Sequence, residues 1–526
     1  MWRLAMAVLL FVAAPVGAHA QKSGGILQVY HRDSPASMSI HEEGTNSVAI
    51  PMMAVFNNLV LYDQHVAQNS LDDIVPDLAE SWSWSGDGTR LTFKLHDGVK
   101  WHDGRPFTAA DVKCTFDLLT GRSTDKLRAN PRKSWWSNVA AVETNGDSEA
   151  VFVLKRPQPA ILALIASGYT PIYPCHVPAA QMRQHPIGTG PFKFVEYKPN
   201  ERITLVRNPD YWKPGRPYLD GVEYTIVTNR STAILAFTTG KFDLTFPYEI
   251  TIPLLKDVRQ QEPQAICDLV PSNASTNLLV NREAPPFDNA DLRRALALAL
   301  DRKSFIDILA EGQGDVGGAM LPPPAGVWGL PADQLATLPG YDPDVAKNRA
   351  AAREIMTKLG YGPDKHLAIK VAARNIATYR DPAVILIDQL KQIWIDAELE
   401  PVETANWFPK LARKDYQIGL NNTGSGVDDP DQQFFENYGC GSERNYTAYC
   451  NPDLEKLFVE QSTLTDRDKR KRLVWEIDRK LQEDGARPII YHVRLGTCRQ
   501  PRVKDLTIMA NSQYNGWRME DVWLDR

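Results

Sequence analysis

The chain has 526 residues, of which 43% are hydrophobic and 23% charged, and its formal net charge is −5. A mature chain of about 500 residues exceeds what one hydrophobic core usually serves, so two or three subdomains are expected. The negative net charge argues against a nucleic-acid partner.

The first residues have the pattern of a secretory signal. Arg3 supplies a positive charge, residues 4–17 are almost entirely apolar, and the Ala-His-Ala of residues 18–20 fits a small-residue cleavage site. The apolar run is shorter than the roughly 20 residues that span a bilayer. We therefore expect a cleaved signal peptide at residues 1–20, a mature chain that begins at Gln21, and a periplasmic location.

From about residue 70 to residue 185 the sequence predicts mainly β-structure. Apolar residues alternate in 79–85 and again in 90–95, and the Gly-Asp-Gly sequence at 86–88 is a turn signal between them. This combination predicts a β-hairpin. The Thr-Ala-Ala-Asp sequence at 108–111 resembles a capping box and predicts that a helix begins there.

The second half has the order strand, helix, strand. Residues 366–373 form an apolar strand, and Asp381 with Pro382 supplies an N-cap and a first-turn proline for the following helix. Further strands are predicted at 399–403 and 416–420. A βαβ unit of this kind predicts a parallel strand pair with a right-handed crossover.

Two predicted loops follow the carboxyl ends of these strands, one at 374–380 and the other at 421–429. In open α/β sheets, ligands bind in the crevice beyond the carboxyl ends of the strands. A ligand site is one interpretation of these loops, and ordinary solvated connections are the other.

The sequence contains six cysteines, at positions 114, 175, 267, 440, 450 and 498. They form no Cys-x-x-Cys and no Cys/His cluster with zinc spacing, so neither a metal site nor a cofactor is expected. In an oxidising compartment the neighbouring Cys440 and Cys450 are the best disulfide candidates. The other four could be buried thiols or could form pairs.

Three blocks of sequence resemble the family 5 extracellular solute-binding proteins, the peptide, oligopeptide, nickel and opine binding components of ABC transporters. The first block is PDLAESW with LTFKLHDGVKWHDGRPFTAADV, within 76–112. The second comprises GTGPF at 188–192 and RNPDYW at 207–212, and the third lies within 281–302. The blocks occur in family order, and the resemblance covers nearly all of the mature chain.

The resemblance implies an α/β, two-lobed periplasmic binding protein fold of type II, similar to cluster C, with an extra β-rich subdomain inserted in the first lobe. The implied boundaries are 1–20 for the signal peptide, 21–69, 186–275 and 496–526 for lobe I, 70–185 for the inserted subdomain, and 276–495 for lobe II. A ligand would be captured between the lobes by a hinge motion.

The resemblance also implies ligand-binding residues. In dipeptide-binding relatives an arginine after the strand that precedes the βαβ helix clamps the ligand carboxylate, and Arg374 has nearly that position. A planar guanidinium suits bidentate carboxylate capture, although a surface arginine is the alternative. Trp407 lies on the helix that leads to the next strand, where relatives often carry an aromatic residue near the ligand, and a buried core position is the alternative. The other candidates come from the strand-end loops: Asn375 and Tyr379 share the loop of Arg374, and Asn421, Asn422 and Ser425 could hydrogen-bond a polar ligand.

One departure from the peptide-binding pattern stands out near the Asp-Pro-Asp sequence at 429–431. Peptide-binding relatives carry an acidic residue about three positions earlier, which pairs with the ligand's ammonium group. Here that position is Gly426, and Asp428 is near but displaced, either as a ligand residue or as a helix cap. This departure is compatible with opines, sugars or modified peptides as ligands, since these need not carry a free ammonium group.

The expected function is therefore that of a monomeric solute-binding component of an ABC importer, with an inner-membrane permease and its ATPase as partners. The ligand would be a peptide, an opine or another small polar solute, and no catalysis is expected. A ligand sensor or chaperone-like protein on the same fold is the alternative. An exported hydrolase is more remote, because the sequence has no Gly-x-Ser-x-Gly and no His-Glu-x-x-His motif.

The first testable prediction concerns export. The mature protein should begin at Gln21 and be recovered in the soluble periplasmic fraction, because residues 18–20 provide the cleavage site. N-terminal sequencing of protein from that fraction checks this. A retained Met1, or protein embedded in the membrane, would contradict it.

Overall fold

The computed structural model of the protein describes residues 21–526, so the predicted signal peptide at 1–20 lies outside the described residues. Strands and helices are mixed along the chain. The strands are β1 (Ile26–His31), β2 (Val60–Tyr62), β3 (Ile74–Pro76), β4 (Ala79–Trp84), β5 (Arg90–Leu95), β6 (Val139–Asn145), β7 (Glu149–Leu154), β8 (Phe192–Lys198), β9 (Arg202–Arg207), β10 (Gly221–Ile226), β11 (Ile266–Val270), β12 (Ala274–Val280), β13 (Leu367–Arg374), β14 (Ile395–Val402), β15 (Ile418–Gly424), β16 (Ile489–His492), β17 (Leu495–Arg499), β18 (Val503–Lys504) and β19 (Trp523–Leu524). The helices are α1 (Asn46–Met53), α2 (Ala109–Thr120), α3 (Ile161–Ala166), α4 (Arg230–Thr238), α5 (Ile252–Gln261), α6 (Ala290–Ala299), α7 (Arg302–Ala310), α8 (Ala332–Leu335), α9 (Val345–Lys358), α10 (Ala377–Lys391), α11 (Thr404–Ala412), α12 (Pro430–Asn437), α13 (Pro452–Thr463) and α14 (Arg467–Glu483).

Three larger sheets form the frame of the molecule. The sheet of lobe I has the order β1-β10-β9-β8, with β1 parallel to β10 and the other pairs antiparallel. The sheet of lobe II has the order β14-β13-β15-β12-β16, in which β13 is parallel to both β14 and β15. A third, antiparallel sheet has the order β4-β5-β7-β6.

The third sheet contains the predicted hairpin. Strands β4 and β5 pair antiparallel, with Trp82 opposite Phe93. The predicted capping box is also present, since Thr108 and Asp111 bond each other's backbone at the start of α2. A disulfide joins Cys114 of α2 to Cys175, which fixes the helix to the chain that leaves the sheet.

Helix α10 begins earlier than the sequence predicts. Asp381 and Pro382 do not open it, because the helix starts at Ala377 and Pro382 lies inside it. A proline in a helix has no N–H for the carbonyl four residues before it. Here that carbonyl, on Thr378, accepts a hydrogen bond from Nδ2 of Asn422 at 3.2 Å. A side chain from the neighbouring strand thus satisfies the freed backbone group, and most of the predicted loop at 374–380 is helical.

Strand β15 also extends beyond its predicted end. The sequence predicts a loop from 421 onward, but residues 421–424 continue the strand and pair antiparallel with β12, where Asn421 faces Asn277. Polar residues in a strand are stable when their backbone and side-chain groups have partners. The predicted loop therefore begins only after Gly424.

The chain crosses between the lobes at two places that lie side by side. Residues 271–273 connect β11 to β12, and residues 493–494 connect β16 to β17. On the lobe I side β11 pairs with β17, and on the lobe II side β12 pairs with β16. Two adjacent short crossings are the arrangement that permits hinge closure of one lobe on the other.

All six cysteines are bonded. The pair Cys440–Cys450, the predicted one, has its Cα atoms 4.7 Å apart. Cys267 of β11 and Cys498 of β17 face each other directly and are bonded, which ties the two crossings together on the lobe I side. No helix within residues 21–526 is long and apolar enough to span a membrane.

Removal of the disulfides should have unequal effects on stability. Cys267–Cys498 closes a sequence separation of 231 residues and Cys440–Cys450 one of 10. In the chain-entropy view, replacing both cysteines of each pair by serine lowers the free energy of unfolding by roughly 5 and roughly 3 kcal/mol, respectively. Urea denaturation of the two double variants measures this. An equal or reversed order would contradict the prediction.

Candidate ligand-binding cleft

A narrow cleft with a free volume of about 30 Å³ lies between the lobes, beside the two crossings. Its lobe II wall includes the last residue of β13, the middle of β15 and the first turn of α10. Its lobe I wall comes mainly from both ends of the chain, with Tyr248 from the middle. The lining residues are Arg32, Gly44, Thr45, Asn46, Tyr248, Leu495, Gln513 and Tyr514 from lobe I, and Ala274, Arg374, Thr378, Tyr379, Phe408, Asn422 and Val493 from lobe II and the crossing.

A wider cavity adjoins this cleft and shares Gly44, Thr45 and Phe408 with it. Its walls come from the loop around Glu43 and from Pro131 on one side, and from helix α11 on the other. The two cavities therefore lie next to each other between the lobes. Solute could enter this space when the lobes separate.

Arg374 lies in the cleft wall, but its guanidinium is already paired. The side chain is only 1% exposed, and Nη2 donates to Oδ2 of Asp33 at 2.6 Å. Asp33 follows β1 in lobe I, so this ion pair joins the two lobes. Thr404 of α11 donates to the same carboxylate oxygen at 2.7 Å. A ligand carboxylate that took Arg374 would leave Asp33 buried without its partner, which is energetically costly.

The electrostatics around Asp33 favour its ionised form. Burial alone would raise the pKa of Asp33, but the guanidinium groups of Arg374 and Arg32 hold that pKa below its usual range. Arg32 in turn donates to Glu249 at 3.0 Å, within lobe I. The charged side chains of this part of the cleft are therefore matched one to one.

Two further predicted residues also line the cleft. The hydroxyl of Tyr379, on α10, accepts a hydrogen bond from Arg374 at 3.2 Å. The carboxamide of Asn422 accepts from Thr276 at 2.8 Å while it donates to the carbonyl of Thr378. Both side chains are held in place by the protein, and each still presents one edge to the cleft.

Other predicted residues lie outside the cleft. Trp407 is fully buried in a small core behind the sheet, and its Nε1 donates to Asn421 at 3.2 Å. Trp407 therefore has the buried core position that was the alternative to ligand binding. Its hydrogen bond holds the side chain of Asn421 away from the cleft. Asn375 is exposed and donates to Glu403, whereas the hydroxyl of Ser425 donates to Gln433.

Asp428 belongs to a different cavity, formed between the lobes on another side. Its Oδ2 accepts from the backbone N–H of Val327 at 3.2 Å, and the cavity also contains Tyr62 of lobe I. The helix that follows is capped by Asp429, whose side chain accepts from the N–H of Asp431, and not by Asp428. Burial raises the pKa of Asp428 to about 7, and the neighbouring Asp429 adds to the effect.

The glycine at 426 has a steric explanation in this structure. A Cβ atom there would lie 2.7 Å from Oγ of Ser167 in the opposite lobe. A side chain at position 426 therefore requires Ser167 to shift while the lobes are closed. The departure from the peptide-binding pattern is built into the contact between the lobes.

Sequence reasoning missed the lobe I half of the cleft. Arg32 and Asp33 follow directly after a strand of alternating burial, the same kind of signal that singled out Arg374. Gln513 and Tyr514 have no such signal, because they lie in a segment near the carboxyl terminus without helix or strand. Only the folded chain brings these residues together.

Two α/β lobes, two adjacent crossings and a closed cleft between them define a two-lobed periplasmic binding protein of type II. The family model "Bacterial extracellular solute-binding proteins, family 5 Middle" matches residues 73–445. The chain belongs to this family, as its sequence blocks predict.

Individual relatives agree with this assignment. "Di/tripeptide-binding protein 1" of Pseudomonas aeruginosa is 26% identical over 95% of both chains. The structure of DppA from Helicobacter pylori in complex with the peptide STSA has a TM-score of 0.83 at 20% identity, covering 96% of this chain and 99% of the other. AgaA from A. tumefaciens R10, in complex with agropinic acid, has a TM-score of 0.80 at 21% identity, covering 95% and 99%.

The raised pKa of Asp428 predicts a pH effect. The pKa of Asp428 is about 7 in the folded protein and about 3.9 in the unfolded chain, so the protonated carboxyl stabilises the folded state. This stabilisation is complete below about pH 3.9 and is lost as the pH rises through about 7. Asp428→Asn stays neutral, so its melting temperature relative to the natural protein should increase between about pH 5 and about pH 8. Scanning fluorimetry measures this. The exposed Asp388→Asn is the control, and a parallel trend in both variants would contradict the assignment.

Proposed function

We propose that the protein is the periplasmic solute-binding component of an ABC importer, and that it captures a small polar solute, peptide-like or opine-like, in the cleft between its lobes. The observation that carries this proposal is the cleft together with its adjoining cavity of about 390 Å³, which lie between two lobes joined by a buried ion pair. Both lobes supply polar and aromatic side chains to it. Such a site encloses a ligand without positioning a reactive group against it.

The named relatives support a solute of this class. One is a di/tripeptide-binding protein, one structure contains a peptide, and another contains agropinic acid. These ligands share a small size, several polar groups and a carboxylate. Since the relatives differ in the exact ligand, the chemistry of this chain's own cleft must select its solute.

Closure would couple binding to delivery. In an open conformation, Arg374 and Asp33 are apart and hydrated. In the closed one they are buried together, and removing one partner from such a buried pair costs about 3–5 kcal/mol. A solute that fills the cleft and binds the closed form more tightly than the open form shifts the population to the closed form. The permease would then recognise that form.

Within the same proposal, residues 1–20 direct export, the protein acts as a monomer, and an inner-membrane permease with its ATPase receives the solute. A ligand sensor on the same fold would need the same cleft. Uptake measurements in a strain that lacks this protein distinguish the two. Loss of the importer's binding component abolishes uptake of the solute, whereas loss of a sensor leaves uptake intact when the importer is induced artificially. Family membership also favours binding over the remote hydrolase alternative.

Mass spectrometry of solute released from protein purified without refolding tests the proposal directly. The identified compound should bind in calorimetry and should reduce the radius of gyration in small-angle scattering. A protein that releases no solute, binds none of the peptides or opines of its relatives and never contracts would contradict the proposed function.

The interlobe ion pair predicts a coupled effect of mutations. Arg374→Ala and Asp33→Ala should each weaken binding of the identified solute by about 1.5–3 kcal/mol, roughly ten- to a hundredfold, with little change in the melting temperature of the ligand-free protein. The double variant should recover part of the loss, since neither charge is then left buried alone. Calorimetry measures all three.

The exposed Arg105→Ala, in the β-rich part of the chain away from the cleft, is the matched control and should bind normally. Direct capture of the solute by Arg374 gives a different result. In that case Arg374→Ala would cost as much in the Asp33→Ala background as in the natural protein. Additive losses would therefore contradict the role of the ion pair.

A further inference from the structure

Three buried arginines meet where the lobes touch beside the cleft. Arg132 comes from the chain that precedes β6, on the lobe I side, whereas Arg444 and Arg487 belong to lobe II. Their exposed fractions are 3%, 4% and 2%. Arg444 reaches across the interface, since its guanidinium carbon lies 3.6 Å from the position of a Cβ on Gly44, which lines the cleft. We call the three side chains the arginine cluster.

The cluster contains a single carboxylate. Nη1 of Arg444 lies 3.1 Å from Oε1 of Glu436. The other oxygen of Glu436 accepts a hydrogen bond from Nε1 of Trp135 at 2.6 Å. Glu436 therefore neutralises one guanidinium of the cluster, and its Oε1, although within ion-pair distance of Arg444, forms no hydrogen bond within residues 21–526.

The other two arginines bond only neutral groups. Arg132 donates to the backbone carbonyls of Ile40 and Glu43. Arg487 donates to side-chain and backbone oxygens of Asn437, to Thr423 and to the carbonyl of Arg444. In residues 21–526 neither of them has a carboxylate within ion-pair distance.

This arrangement leaves two positive charges buried without a counter-charge. Hydrogen bonds to neutral oxygens satisfy only some of the N–H groups, since Nε of Arg132 and Nε of Arg487 have no partner in the described part of the chain. The buried charge itself also stays costly until an opposite charge joins it. Burial lowers the pKa of Arg132, and repulsion from Arg444 adds to that effect. Because the arginines come from both sides of the interface, closure is the step that brings the excess charge together.

The rest of the cleft differs in this respect. Arg374 has Asp33 as its partner, and Arg32 has Glu249. Outside the cleft, the buried Arg302 donates hydrogen bonds to two carbonyls and lies over a tyrosine ring. The fold of residues 21–526 therefore tolerates one buried arginine without a carboxylate partner. What distinguishes the cluster is that three guanidinium groups share one carboxylate at a surface that opens.

A chain of ring contacts links the cluster to the cleft. The guanidinium of Arg132 lies 3.5 Å from the ring centroid of Tyr169. That ring is 4.4 Å from the ring of Tyr514, which lines the cleft. The hydroxyl of Tyr514 is 2.8 Å from the position of a Cβ on Gly424, at the carboxyl end of β15. The excess charge therefore lies beside a strand end of the kind where α/β folds bind ligands.

We propose that the solute is an anion and that the arginine cluster, rather than Arg374, receives its carboxylate or a chemically similar group. This inference rests on the proposed function and narrows its solute class. The solute's negative charge offsets the charge excess that closure creates, so an anion stabilises the closed form more than an uncharged analogue does. The solute is held by charge-assisted hydrogen bonds between the two lobes.

The test uses carboxylates and their amides as probes on the full mature protein. Calorimetry at constant ionic strength compares acetate, succinate and glutarate with acetamide, succinamide and glutaramide. At least one carboxylate should bind about tenfold or more tightly than its amide, the size of one charge-assisted hydrogen bond. Equal binding of every carboxylate and its amide, including no binding of either, would overturn the proposal.

Variants assign the effect to the cluster. Arg132→Gln and Arg444→Gln should each reduce the affinity for the tightest carboxylate about tenfold, and Arg444→Lys should retain part of it. Glu436→Gln, which removes the one negative charge and keeps an acceptor for Trp135, should strengthen binding. A merely structural role would make all four variants weaker in the same direction.

Arg302→Gln is the matched control, because it removes a buried acid-free arginine outside the cleft and should leave the affinity unchanged. Mass spectrometry of the solute released from purified protein separates this inference from the proposed function. A released solute that is neutral or cationic at pH 7 overturns the inference and leaves the binding function intact. A released anion that Arg132→Gln and Arg444→Gln still bind normally also overturns it.

Discussion

The contact between Asp33 and Arg374 is the point at which the two lobes depend on each other. The two side chains are 341 positions apart in sequence, yet they form a buried ion pair 2.6 Å long. Each lobe alone would expose one of these charges to water. The pair therefore exists only when the lobes are together, and the stability of the closed molecule depends on the match between a strand end in each lobe.

The connections between the lobes make that match reproducible. Within residues 21–526 the chain crosses at segments 271–273 and 493–494, and these lie side by side because the strands before and after them are paired. The disulfide between Cys267 and Cys498 ties those strands on the lobe I side. A short double crossing limits the relative motion to a hinge, so closure returns the same side chains to the same partners.

Charge is distributed unevenly along the interface, and this gives the cleft its chemical character. Near the crossings each cation has an acidic partner, so that region is neutral. At the arginine cluster, Glu436 is the one carboxylate among three guanidinium groups. A closed form with such an imbalance is less stable without an anion than with one, which makes closure sensitive to the solute rather than automatic.

The sequence by itself determined the family, the mixed α/β fold, the hairpin at β4 and β5 and the position of Arg374 at a strand end, because these follow from local periodicity, turn chemistry and three sequence blocks. It placed the start of α10 wrongly, because Pro382 lies inside the helix. The carbonyl that an interior proline leaves free is on Thr378, and Asn422 supplies its hydrogen bond. The lobe I half of the cleft was decided by tertiary structure alone. Asp33 and Tyr514 line the cleft only because the fold places them next to residues hundreds of positions away in sequence, and no local sequence pattern encodes those contacts.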